Sequence, residues 1–180
     1  QCRPGDAVLV TGTLGDHGIT IMSCREGLGF SAAIESDAAP LNHLIADVLA
    51  AAPGTRCFRD TTRGGLASTL NELADQAQAD IMVDEEAVPV KDAVRGACDM
   101  LGYDVLQVAN EGKMVCVVAA DQAEAALAAM RANLYGRDAA IIGQVAEADL
   151  ARGPKVLLRT AFGSTRILDM LVGEQLPRIC

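Results

Sequence analysis

Hydrophobic and polar positions change their spacing several times along the 180-residue chain, and each change marks an element. Residues 6–12 (DAVLVTG) are a short apolar run between Pro-Gly and Gly, the pattern of a buried strand, and residues 13–18 (TLGDHG) read as the loop after it. From Leu41 to Ala52 the apolar residues Leu44, Ile45, Val48 and Leu49 recur at helical spacing until Pro53-Gly54 stops them. A second amphipathic helix is predicted over 65–78, with Leu66, Leu70, Leu73, Ala74 and Ala77 on one face. Residues 81–83 read as a strand, 90–101 as a helix ending at Gly102, and 113–119 (KMVCVVA) as a central strand. Asp121 is the expected N-cap of a helix carrying Ala123, Leu127, Met130 and Leu134, and 141–145 is another strand. Residues 155–160 and 165–168 alternate around Phe162-Gly163-Ser164 as a hairpin. Strands and helices thus alternate without a strict repeat, which predicts an α+β domain over 1–169: a mixed, largely antiparallel sheet covered by helices. Residues 170–180 (MLVGEQLPRIC) hold Gly173 and Pro177 and read as a flexible tail.

Charge narrows the choice of partners. Fifteen basic against twenty-four acidic residues give a net charge of −9, and no basic cluster stands out, which argues against nucleic acid and anionic membrane surfaces. Aromatic residues make up 3%, with no Trp, too few for base-stacking platforms. The six cysteines include no CxxC pair, which argues against a zinc ribbon or a dithiol redox motif. No leader and no membrane-spanning run is visible, so a soluble, cytoplasmic protein is expected. Gln1 and the turn at Arg3-Pro4-Gly5-Asp6 suggest the latter part of something longer.

Four places carry candidate chemistry. Cys180 is the last residue of a Pro-containing arm, where a thiol has reach; its α-carboxylate disfavours the thiolate and Arg178 partly opposes that. Asp60-Thr61-Thr62-Arg63-Gly64-Gly65 stands before a helix, where N–H groups freed of side chains receive an anion, or where Asp or Thr simply caps the helix. Asp16 and His17 sit between two glycines after a strand; His17 reads as a general base or, the favoured alternative, a solvated loop residue. Asn110-Glu111-Gly112 enters the 113–119 strand, so Glu111 reads either as a general base whose pKa its surroundings raise or as part of an ordinary turn. Cys24, Cys57, Cys98 and Cys116 read as small buried hydrophobes.

Taken together, residues 12–18 (GTLGDHG), 60–65 (DTTRGG), 110–113 (NEGK) and 173–180 (GEQLPRIC) resemble the HypE family of hydrogenase maturation proteins, as its carboxy-terminal half. That family is grouped with aminoimidazole ribonucleotide synthetase, selenophosphate synthetase and thiamine-monophosphate kinase, so the resemblance implies the carboxy-terminal fold of the synthetase. It also implies an ATP-dependent carbamoyl dehydratase. On that resemblance the carbamoyltransferase HypF is expected to place a carbamoyl group on Cys180, and phosphorylation of its oxygen and loss of phosphate to leave a thiocyanate. The cyano group then passes to iron on the HypC–HypD complex. Glu111 is implied as the carboxylate taking the amide proton, and Asp60, Thr62, Arg63, Gly64 and Gly65 as the lining of the phosphate end. Asp16 and His17 are implied as shaping the arm's channel, with Asn110 and Arg178 as further candidates. Thr61 stands where the family has Pro, which is expected to loosen the turn slightly. ATP with Mg is expected mainly through an amino-terminal domain, together with a homodimer; no metal site is expected in these residues. Two alternatives remain: a non-catalytic carrier and docking module, or half of a related synthetase or kinase.

Overall fold

Strand β1 (Ala7–Val10) is buried along its length, and its pleat decides the layering. The computed structural model describes residues 2–26, 34–149 and 151–170. The remaining strands are β2 (Thr55–Asp60), β3 (Asp80–Asp84), β4 (Met114–Val118), β5 (Ala140–Ala146), β6 (Val156–Arg159) and β7 (Thr165–Ile167). They form one sheet in the order β2-β4-β1-β5-β3-β6-β7. All neighbours run antiparallel except β3 and β6, so the sheet is mixed and largely antiparallel, as expected. The helices are α1 (Asp16–Glu26), α2 (Asn42–Ala51), α3 (Gly65–Ala77), α4 (Asp92–Leu101) and α5 (Ala123–Ala132).

Successive side chains of β1 point to opposite faces and seed two cores. Val8 and Val10 join Val115, Val117, Ile81 and Ile142 beneath Leu66, Leu70 and Leu73 of α3. Ala7 and Leu9 join Cys116 and Val118 beneath Leu44 and Val48 of α2 and Met130 of α5. Each large apolar side chain buried in these layers contributes about 1.5–3 kcal/mol. A smaller cluster packs Ile19 of α1 against Val94, Ala97 and Cys98 of α4.

Polar contacts pin the ends of the sheet. Asp80, whose side chain is 4% exposed, receives Arg152 Nη2 at 2.5 Å and the backbone N–H of Lys155 at 2.8 Å. Asn71 of α3 donates to the carbonyl of Leu168 at 2.7 Å, fixing the chain just beyond β7.

Several elements differ from the sequence reading. Residues 16–18 are not loop: α1 starts at Asp16, and its apolar Ile19 docks on α4. Strand β2 has no counterpart in the reading, because its half-exposed TRCFRD pairs with β4 alone at the sheet edge. Strand β4 lies second from that edge rather than at the centre. Asp121 is not an N-cap: it sits in a 3-10 turn, and Gln122 precedes α5 without a side-chain cap bond. Leu134 lies beyond α5 and is largely exposed, so it does not extend the helix face. None of the described helices is long and apolar enough to cross a membrane.

Candidate functional site

Asn110 lies where three loops meet. Its side chain is buried, and Oδ1 accepts the backbone N–H of Gly15 at 2.7 Å. Nδ2 donates to the carbonyls of Thr61 at 3.2 Å and Val108 at 3.0 Å, and the Asn110 backbone N–H donates to Thr61 O as well. Only a primary amide offers this combination of one acceptor and two donors. Residues 12–18, 60–65 and 110–113, far apart in sequence, therefore form one assembly.

Asp16 opens α1, where the helix dipole favours a carboxylate. It is buried, accepts the Thr13 hydroxyl and pairs with Lys91 Nζ at 3.0 Å. His17 is also buried rather than solvated: Nδ1 lies 2.9 Å from Ser36 Oγ, while Nε2 has no hydrogen-bond partner among the described residues. Thr20 donates to the carbonyl of Ile34, so α1 holds the segment 34–36 at two points.

In the DTTRGG stretch, consecutive left-handed glycines, φ +69° at Gly64 and +60° at Gly65, turn the chain into α3. A Cβ on Gly65 would lie 2.5 Å from Val108 O, so the helix start packs directly on backbone. Gly64 is the N-cap and offers no side-chain cap bond, so neither Asp nor Thr caps α3. Among the described residues no hydrogen bond takes up the N–H of Gly64 or Gly65. Asp60 and Arg63 are exposed and Thr62 half-buried, and among the described residues no hydrogen bond engages their side chains. Thr61 is held within the turn by two bonds. It is buried, and its N–H and hydroxyl both donate to Lys113 O, at 3.4 and 3.3 Å, donors that proline lacks.

The NEGK turn is seated on residues 37–39. The Glu111 backbone N–H donates to Asp37 Oδ1 at 3.0 Å, and a Cβ on Gly112 would fall 1.8 Å from Asp37 O. Lys113 crosses Gly12 and brings Nζ to Gly112 O at 3.2 Å and within 4.0 Å of Asp37 Oδ2. The Glu111 residue itself is exposed, so burial by the described residues does not provide the environment that the sequence reading gave its carboxylate. A cavity of about 230 Å³ is lined by Thr13, Asp16, Ser36, Asp37, Lys91 and Lys113 among others. No group of three or more His, Cys, Asp and Glu side chains suited to a metal occurs among the described residues.

The cysteines divide differently from the expectation. Cys98 and Cys116 are buried, and burial pushes their thiols up to about 11 and about 12. Cys24 is exposed, and Cys57 is half-buried with its sulfur 3.7 Å from that of Cys2. A hydrogen bond from Cys57 lowers the Cys2 thiol to about 7, and the same bond pushes Cys57 up. Cys180 and Arg178 lie outside the described residues. Sequence reasoning missed Asp37, Lys91 and Lys113 as parts of the assembly. Lys113 was visible within NEGK, whereas Asp37 and Lys91 belong to no motif and reach the site only through the fold.

Sheet, helices and glycine turn together define an AIR synthase-type carboxy-terminal domain: residues 3–153 match the family described as AIR synthase related protein, C-terminal domain, and the chain belongs to it. Within that class its likeness is to carbamoyl dehydratase HypE. It is 55% identical to the Azotobacter vinelandii protein over 180 residues, 100% of this chain and 52% of that protein. A structure of hydrogenase maturation protein HypE in complex with ATP matches with a TM-score of 0.92 at 47% identity, over 99% of this chain and 54% of that one. A HypE–HypF complex matches with a TM-score of 0.89 at 44% identity, over 94% and 54%. The chain thus spans about half the length of the relatives it matches.

Proposed function

We propose that this chain is the portion of a carbamoyl dehydratase that carries an S-carboxamide on Cys180 and takes part in its ATP-dependent conversion to a thiocyanate during [NiFe]-hydrogenase maturation. The observation that carries the reading is Asn110 joining the Asp16, Thr61 and Glu111 loops into one assembly. The likeness to HypE proteins, one of them solved with ATP and another with HypF, supports it.

In this reading the carboxamide oxygen leaves within phosphate and two protons leave nitrogen, so −S–C(O)NH₂ becomes −S–C≡N. ATP supplies the phosphoryl group that makes the oxygen a leaving group. The open N–H groups at Gly64 and Gly65 receive the phosphate, beside Asp60, Thr62 and Arg63. Glu111 takes a proton from the amide nitrogen. Asp16 and His17 act less directly: both are buried and shape the ground beneath the approach. Residues 170–180 serve as the arm, and Arg178 offsets the α-carboxylate beside the thiol. HypF is the carbamoyl donor and HypC–HypD the acceptor. Mg and the homodimer contacts belong to the half of the relatives that this chain does not span, and the reaction is cytoplasmic.

The exposure of Glu111, whose carboxylate no described residue buries, favours a second reading, a carrier without catalysis of its own. One experiment separates the two. The chain, joined to the amino-terminal half of the Azotobacter vinelandii relative, is incubated with HypF, carbamoyl phosphate and ATP, and the mass of its C-terminal peptide is followed. The expected product is a thiocyanate on Cys180, with Glu111→Gln stopping at the carboxamide. An unmodified Cys180 overturns both readings; wild-type dehydration by Glu111→Gln leaves only the carrier.

A further inference from the structure

The segment 34–37 lies between the GDHG and NEGK motifs and touches both. His17 meets Ser36, Thr20 meets Ile34, and Asp37 receives the backbone N–H of Glu111. Asp37 is unusual in this segment. Its side chain is 3% exposed, yet Oδ2 makes no hydrogen bond among the described residues and faces only the Lys113 ammonium, at 4.0 Å. A buried carboxylate with an unused oxygen costs stability, and a neutral acceptor would hold the Glu111 N–H as well. Folding alone therefore gives no reason for a charge at this position.

We propose that Asp37 is a positioning residue for the dehydration: it fixes the Glu111 backbone through Oδ1 and holds the Lys113 ammonium through Oδ2. The inference rests on the reading of Glu111 as the proton acceptor. The two contacts grip both ends of the NEGK turn. Gly112 lies between them against the backbone of residues 37 and 39, so the turn cannot shift without moving Asp37. The Glu111 side chain, exposed and without a hydrogen bond among the described residues, takes its direction from this seated backbone. A carboxylate displaced by about 1 Å from a productive geometry loses about 10²-fold in rate.

The test uses the chain joined to its relative's amino-terminal half, with Cys180 carbamoylated by HypF, and reads dehydration kcat, KM for ATP and the extent of carbamoylation. Asp37→Glu keeps charge and acceptor but moves the acceptor by one methylene. It is expected to lower kcat at least tenfold, with KM and carbamoylation unchanged. Asp37→Ala is expected to lose about 10²-fold in kcat, and Asp37→Asn, which keeps an acceptor for the Glu111 N–H but no charge for the Lys113 ammonium, to recover only part of that loss. Wild-type kcat in Asp37→Glu, or Asp37→Asn no faster than Asp37→Ala, overturns the proposal. Should Asp37→Ala fail to fold, Asp37→Glu alone decides. Glu111→Gln is run beside them: if it retains wild-type kcat, the Glu111 reading falls and takes this proposal with it. If Glu111→Gln is inactive while Asp37→Glu is fully active, only the Asp37 proposal falls.

Discussion

Asn110 Oδ1 accepts the backbone N–H of Gly15 at 2.7 Å, joining two loops 95 residues apart in the chain. Removing this amide leaves the Gly15 N–H and the Val108 carbonyl without the bonds it made, and buried groups left so cost about 1–3 kcal/mol each. Asn110→Ala is expected to lower the unfolding free energy by about 3 kcal/mol in urea titration. Asn110→Asp keeps the acceptor but puts a charge in place of two donors, and is expected to be no milder. A loss below about 1 kcal/mol for both would remove Asn110 from the centre of the site.

Two glycines with similar backbones separate torsional strain from close approach. Gly65 and Gly102 both have left-handed φ, +60° and +72°, but a Cβ on Gly102 would meet nothing within 4 Å, whereas one on Gly65 would press on Val108 O. Gly102→Ala is expected to cost about 1 kcal/mol and Gly65→Ala at least about 1 kcal/mol more. Paired denaturation curves check this, and equal losses would contradict the backbone packing at the start of α3.

The Cys2 thiol, lowered to about 7 by the hydrogen bond from Cys57, is about half thiolate at neutral pH and mostly thiolate above it. Its alkylation by iodoacetamide is expected to rise as pH climbs through about 7 and to fade below it. In Cys57→Ala the rise moves upward towards the ordinary thiol range. A midpoint unchanged in Cys57→Ala would show that the neighbouring sulfur is not the cause. Cys98 and Cys116, buried and pushed upward, are expected to stay unreactive while the protein is folded.

Two arginines give a contrast in burial. Arg152→Ala leaves the Asp80 carboxylate, 4% exposed, with only the Lys155 N–H, and is expected to cost about 2–3 kcal/mol. Arg59→Ala breaks the pair with Glu72, in which both side chains are more than 40% exposed, and is expected to cost about 0.5 kcal/mol or less. Melting curves that move equally for the two variants would refute the distinction.

What the sequence made legible follows from which forces act locally. Helices α2 and α3 lay in plain view because Leu44 and Val48, and Leu66, Leu70 and Leu73, repeat at the helical period against one core face each. The hairpin of β6 and β7 was visible from its alternation around Gly163, but its parallel docking on β3 was not, since nothing near 156–159 points to Ile81. Helix α1 was hidden behind Gly15 and Gly18, which read as loop residues; its support is tertiary, through Ile19 and α4. The site motifs were recognisable as strings, yet their meeting point at Asn110 and their seat on Asp37 arise from contacts across 49 to 95 residues, which no local pattern encodes.

The anchoring of Leu168 by Asn71 fixes a known starting post for residues 169–180. Twelve residues separate Leu168 from Cys180, a contour of at most about 40 Å, while Asn71 stands six residues along α3 from Gly65, about 9 Å of helix axis. That contour exceeds the distance to the glycine turn several-fold. On the proposed function, trimming two or three residues between Met170 and Pro177 would leave that inward reach intact and would first curtail the outward one, to the carbamoyl donor and the iron-bearing acceptor. On that reading the number of residues beyond Leu168 answers to the partners' distance rather than to the domain's own dimensions.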